Sequence, residues 1–175
     1  MKKQLLPRSG SEPTNAHWYL SSKATDRANC YAYAFGVKGR KDGYKLQPGD
    51  KSGLKGVDFS LHDCRELVKR VRRDFKNTVY VTPHAQKPCR RGYAKVMAFI
   101  DPDRDFHFFR QDPNGFWSHK RGLTPVSITD ACHRRIRNPQ KACRRFDKDN
   151  DYTVLCGTFC RRVPETKKKS TRTQK

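Results

Sequence analysis

The chain has 175 residues, a formal net charge of +22 and a hydrophobic fraction of 34%. That length suits one domain with tails, and ten Phe, seven Tyr and two Trp supply a modest core, which excludes a fully disordered chain. No apolar run approaches the roughly 18 residues needed to cross a bilayer, and Pro7-Arg8-Ser9 cuts short the apolar start at Leu5-Leu6, which disfavours a Sec-exported precursor.

Residues 1–15 are polar, rich in Pro and Ser, and predict a flexible N-terminal tail; 16–163 form the domain; 164–175 form a basic C-terminal tail. Residues 16–20, Ala-His-Trp-Tyr-Leu, read as an aromatic segment docked on the core. Asp26 to Phe35 reads as a helix, with Asp26 or Asn29 at its start and Gly36 closing it. Leu46-Gln47-Pro48-Gly49-Asp50 is a turn. Ser60 to Phe75 carries the clearest helical period: Leu61, Cys64, Leu67, Val68, Val71 and Phe75 share one face, Ser60 and Asp63 form a capping-box-like start, and Asn77 can end it. Arg65, Lys69, Arg70, Arg72 and Arg73 make this helix basic.

The period then changes to that of strands: Thr78 to Thr82, Ala94 to Ile100, Phe106 to Gln111, Phe116 to Lys120 and Thr153 to Val163. Turn sequences at 101–105 and 112–115 join the middle three into an antiparallel meander. Residues 125–146 read as loop with a short helix.

The meander places two histidines together. Side chains alternate along a strand, so His107 shares a face with Phe109. A three-residue loop at 113–115 pairs Phe109 with His119, and a shift of two pairs His107 with His119; either way the rings are close neighbours unless Gly115 introduces a bulge. Cys30, in Asn29-Cys30-Tyr31-Ala32-Tyr33-Ala34, stands at a helix start, where free N–H groups and the macrodipole favour a thiolate. A nucleophile, a base and a group to orient the base are the parts of a thiol hydrolase. Cys30 would attack, His107 would carry the proton and His119 would hold the His107 ring. Asp112 has the opposite parity and is a weaker orienter. The Cys30 N–H with one side chain, Tyr19 or His17, would form the oxyanion site.

Cysteine at a helix start, a Leu-Gln-Pro-Gly-Asp turn, then Asp105-Phe106-His107-Phe108-Phe109 and Phe116-Trp117-Ser118-His119-Lys120 on adjacent strands resembles the NlpC-type papain-like cysteine peptidases over residues 28–120. The resemblance implies an α+β papain-like core with a Cys-His-polar triad that cuts an amide bond in a peptide or related substrate. The longer path 51–94, with its basic helix, then reads as an insertion, and Phe108-Phe109-Arg110 stands where smaller residues are commoner.

Seven cysteines leave at least one unpaired in the monomer. Cys132, Cys143, Cys156 and Cys160, beside His133, lack the paired spacing of a zinc site, so buried free thiols are expected, with Cys156 and Cys160 on one strand face. No cofactor or metal is expected. Free thiols point to a reducing compartment or a viral particle rather than Sec export. The cationic clusters are spread over the chain, which points to polyanions such as DNA, bound without sequence preference and weakened by salt. A catalytically idle papain-like fold that coats nucleic acid is the rival to the hydrolase.

Overall fold

In the computed structural model, residues 27–37, 39, 42, 44–54, 63–102, 104–122 and 124–163 are described. The alternating stretches pair as one antiparallel sheet of β1 (Val79–Val81), β2 (Tyr93–Asp101), β3 (Asp105–Gln111), β4 (Trp117–Lys120), β5 (Val126–Ser127) and β6 (Val154–Arg162). The spatial order is β1-β6-β2-β3-β4-β5. The predicted meander is therefore present as β2-β3-β4, and Phe109 faces His119. Gly115, at φ 84°, donates its N–H to Asp112 O at 2.8 Å and closes the β3–β4 turn in the left-handed region that glycine favours. β5 arises inside the stretch read as loop; a short 3-10 turn, Pro139–Lys141, follows it.

Two helices, α1 (Cys30–Ala34) and α2 (Cys64–Asp74), share one core with the sheet. Tyr31, Phe35, Leu67 and Val71 pack there with Val96, Ala98, Ile100, Phe108 and Phe159. The opposite face buries Met97, Phe99, Phe109 and Trp117 beneath Ile136 and Tyr152. The mixed helix and antiparallel sheet architecture is α+β.

Both helices are shorter than their sequence patterns. α1 starts at Cys30 because the Asn29 side chain accepts from Ala32 N at 3.1 Å, a cap that ends the non-helical approach. Asp26 lies outside the described residues. α2 starts after Asp63, whose carboxylate accepts from Arg65 N at 2.8 Å. Ser60, Leu61 and His62 lie outside the described residues, as do the tails and the 16–20 segment. Asn77, at φ 66°, lies just past the end of α2. Asp74 then ties three elements together: it accepts from Tyr31 Oη at 2.8 Å, Gly49 N at 2.7 Å and Ser52 N at 2.8 Å.

The cysteines correct the free-thiol expectation. Cys64–Cys156, Cys89–Cys160 and Cys132–Cys143 are disulfides, and Cys30 is the free cysteine among the described residues. Cys156 and Cys160 do not share a face. β6 slips register where Ala98 faces Gly157 but Phe99 faces Leu155, so Cys156 is the extra residue of a bulge. The bulge breaks parity and sends the two sulfurs to different partners, one on α2 and one in the 82–92 loop. Gly157 permits this approach of α2, since a Cβ there would stand 3.3 Å from Val68 Cγ2.

Asn29 does double duty, for its Nδ2 also donates to Leu46 O at 2.7 Å, in a site only 5% exposed. Asn29→Ala leaves the Ala32 N–H and the Leu46 carbonyl without these partners. The expected cost is about 1–3 kcal/mol, read as a lower urea midpoint at unchanged slope; an unchanged midpoint contradicts it.

Candidate active site

The histidine pair is built by strand parity. His107 and Phe109 project from one face of β3, and His119, opposite Phe109 on β4, projects from the same face. His107 Nε2 and His119 Nδ1 are 2.8 Å apart, and His119 Nε2 is 3.0 Å from Thr129 O. This chain fixes the protons. A carbonyl only accepts, so His119 Nε2 carries hydrogen. Neutral His119 then has a bare Nδ1, which accepts from His107 Nε2–H. The remaining nitrogen of His107, Nδ1, holds a lone pair and is the basic atom of the relay.

Aromatic rings enclose the pair. The His107 ring centre is 5.0 Å from that of Phe109, 5.7 Å from Phe146 and 5.1 Å from Tyr152. Burial therefore keeps both imidazoles neutral: it lowers His107 well below its ordinary value, helped by His119 and Arg121, and brings His119 down to about 4, against the bond to Thr129.

Those shifts predict an acid-labile fold. Unfolded histidines titrate near 6.5, whereas the native pair resists protonation, so its contribution is full above pH 6.5 and is lost as pH falls toward 4. For His119 alone, a pKa near 4 corresponds to roughly 3 kcal/mol. Thermal melts at pH 7.5 and 4.5 should show this drop, and His119→Gln should flatten it; equal melting temperatures at the two pH values contradict the relay's buried neutral state.

Cys30 and His107 meet at a shared cleft, with no hydrogen bond between them. It comes from α1 on the helix-bearing face, and its S–H donates to Phe106 O at 3.8 Å. The β3–β4 pairing ends at Phe109↔His119, so the start of β3 is not covered by β4. Here a cleft of about 300 Å³ is lined by Asn29, Cys30, Gln47, Asp105, His107, Arg121 and Tyr152, among others. Thiol and imidazole thus wall the same cleft, while the thiol's hydrogen bond goes to the carbonyl rather than to the ring.

The thiol is not the thiolate expected of a helix start. At 6% exposure, burial first and the Asp105 carboxylate second push Cys30 up to about 12. A helix of five residues has too small a dipole to offset this. Asp105 is the residue that the sequence reading missed: its Oδ1 accepts from Phe106 N at 2.8 Å and its Oδ2 accepts from Tyr152 Oη at 2.8 Å. Asp105→Asn should speed alkylation of Cys30 at pH 8; an unchanged rate would remove Asp105 as a control on the thiol. Thr129 was missed too, since a backbone carbonyl leaves no mark in side-chain identity. Asp112 lies away from the relay, beside Arg110 at 3.6 Å. His17 and Tyr19 are outside the described residues.

Among the described residues no group of three His, Cys, Asp or Glu side chains could hold a metal, and no helix is long and apolar enough to cross a membrane. No known family model matches the chain, and no solved structure matches it. Among curated proteins it is similar to insoluble matrix shell protein 1 of Ruditapes philippinarum, 32% identical over 118 residues, or 67% of this chain and 72% of that protein.

Proposed function

The chain belongs to the family of insoluble matrix shell protein 1, and we propose, from the geometry of its cleft, that it is a disulfide-stapled, papain-like thiol hydrolase that works in an oxidising setting, on an amide or related acyl bond. The observation that carries the reading is the Thr129–His119–His107 relay on the wall of the cleft that holds Cys30. In this mechanism the Cys30 proton passes to His107 Nδ1 as the sulfur attacks the acyl carbon. The Cys30 N–H, in the first turn of α1, meets the oxyanion. His107 returns the proton to the leaving amine, and water then releases the acyl group from sulfur with His107 as base. His119 keeps the His107 ring in the required tautomer. The resemblance to the NlpC-type peptidases supports the same assignment. The three disulfides support the oxidising setting, in place of the reducing compartment expected from free thiols.

A resting thiol near 12 makes the test selective. A peptidyl vinyl sulfone, which occupies the cleft, should label Cys30 with saturation kinetics, while iodoacetamide labels it slowly. Labelling that never saturates for any of a panel of such peptides would overturn the enzyme reading.

A second reading is favoured by the relative's name and by the charge of +22. In it the fold is catalytically idle and serves a matrix as a cationic binding module. It predicts polyanion binding that weakens steeply with salt and is untouched by Cys30→Ala.

A further inference from the structure

α2 is the most basic element of the fold, and its cations are not scattered. Arg65, Lys69 and Arg72 follow one another at steps of four and three, which aligns them as a single stripe on the helix, with Arg73 beside it and Lys76 just past the helix end lining the same groove. All five are exposed. They line one groove of about 880 Å³, whose floor is Val68, Val79, Val81 and the Cys64–Cys156 disulfide. Of the two acids on this helix, Glu66 is engaged at 3.1 Å by Lys69 and at 2.9 Å by the buried Arg70, and Asp74 accepts from Tyr31, Gly49 and Ser52. The groove shares no lining residue with the Cys30 cleft.

The second observation is the strand beside it. β1 lies at the end of the sheet, and among the described residues no strand pairs with its outer side. Thr78 O accepts from Arg162 N at 2.8 Å and Thr82 N donates to Thr158 O at 2.9 Å. Tyr80 faces Cys160 between them. By the alternation of an antiparallel ladder, the backbone groups of Val79 and Val81 point away from β6. Their side chains meanwhile line the groove.

We propose that this groove binds an acidic polypeptide segment as an added strand on β1, with its alternate carboxylates facing the α2 cations. An added strand brings every second side chain to the α2 face at intervals of about 6.8 Å, while the eleven-residue helix extends about 16 Å, so about three carboxylates span the stripe. The unpaired strand edge favours a peptide over a sulfated or phosphate polymer, which offers no ladder of amides. The proposal rests on the cationic-module reading and gives it a location and a partner class.

The test uses the full oxidised chain carrying Cys30→Ala and a fluorescent decapeptide of alternating Glu and Thr, followed by anisotropy. Arg72→Gln with Lys76→Gln should weaken binding roughly tenfold, whereas Arg137→Gln with Lys141→Gln, which lie outside the groove, should not. A peptide N-methylated at alternate residues on its pairing edge should lose most of its affinity. If the two double variants weaken binding equally, or N-methylation changes nothing, the groove site falls and general electrostatics stand. If a sulfated oligosaccharide of equal charge binds the groove more tightly than the peptide, the partner class is wrong. If no polyanion binds at low salt, the cationic-module reading falls with it.

Discussion

On the proposed hydrolase reading, Cys30→Ala should lower acyl hydrolysis by roughly 10⁴-fold or more, because removal of the nucleophile would leave only binding and oxyanion contacts. His107→Ala should do the same, and the two together should cost little more than either alone, since the pair acts as a unit. His119→Ala should fall short of both. It spares the base but frees the ring that the 2.8 Å contact holds. Readouts are turnover of a fluorogenic peptide panel and the acyl-enzyme mass on Cys30. The pH profile supplies an independent check. With the thiol near 12 and His107 depressed, the resting pair is uncharged at neutral pH, so direct alkylation by iodoacetamide should keep rising with pH well above 9. A plateau near neutrality would show a preformed thiolate and contradict the resting geometry. Peptide turnover that survives Cys30→Ala would assign any hydrolysis to something other than this thiol.

The second large effect concerns the three cross-links. Reduction should unfold the domain near 37 °C, because each native disulfide of a small domain contributes about 2–5 kcal/mol against a total stability of roughly 5–15 kcal/mol. The order follows loop length. Cys64–Cys156 closes 92 residues and Cys89–Cys160 closes 71, so their loss should cost more than that of Cys132–Cys143, which closes 11. Paired Cys→Ala variants under urea measure each contribution. A reduced chain that melts within a few degrees of the oxidised one would contradict a structural role for all three.

What could be read beforehand divides along physical lines. The hairpin was legible because Asp112 to Gly115 is a turn sequence, and strand parity put the two histidines on one face; the register stayed open between Phe109 and His107 opposite His119, and the structure takes the first. The helix of residues 64–74 was legible in its apolar spacing, but its start was not, because Asp63 makes the cap bond at 2.8 Å and itself stays extended. Cystine pairing was illegible for a different reason. Cys64 meets Cys156 only because β6 returns to the middle of the sheet, and Cys156 and Cys160 diverge only because of a bulge that no side-chain pattern announces. The thiol's state was misjudged because a short helix was credited with more field than burial and Asp105 allow it. Thr129 could be found only once β5 had brought its carbonyl to His119.

β6 is the last strand of the described residues yet lies between β1 and β2. Cys64 and Cys89 precede their partners Cys156 and Cys160 by 92 and 71 residues, so both cross-links wait on β6, and its place in the sheet is filled by long-range contacts. Maturation is bound to be late, dominated by long-range closure, and vulnerable to mispairing of Cys64 with Cys89 in the interval. An isomerase or a slow oxidation regime should raise the yield of correctly cross-linked protein far more than it raises the yield of total protein.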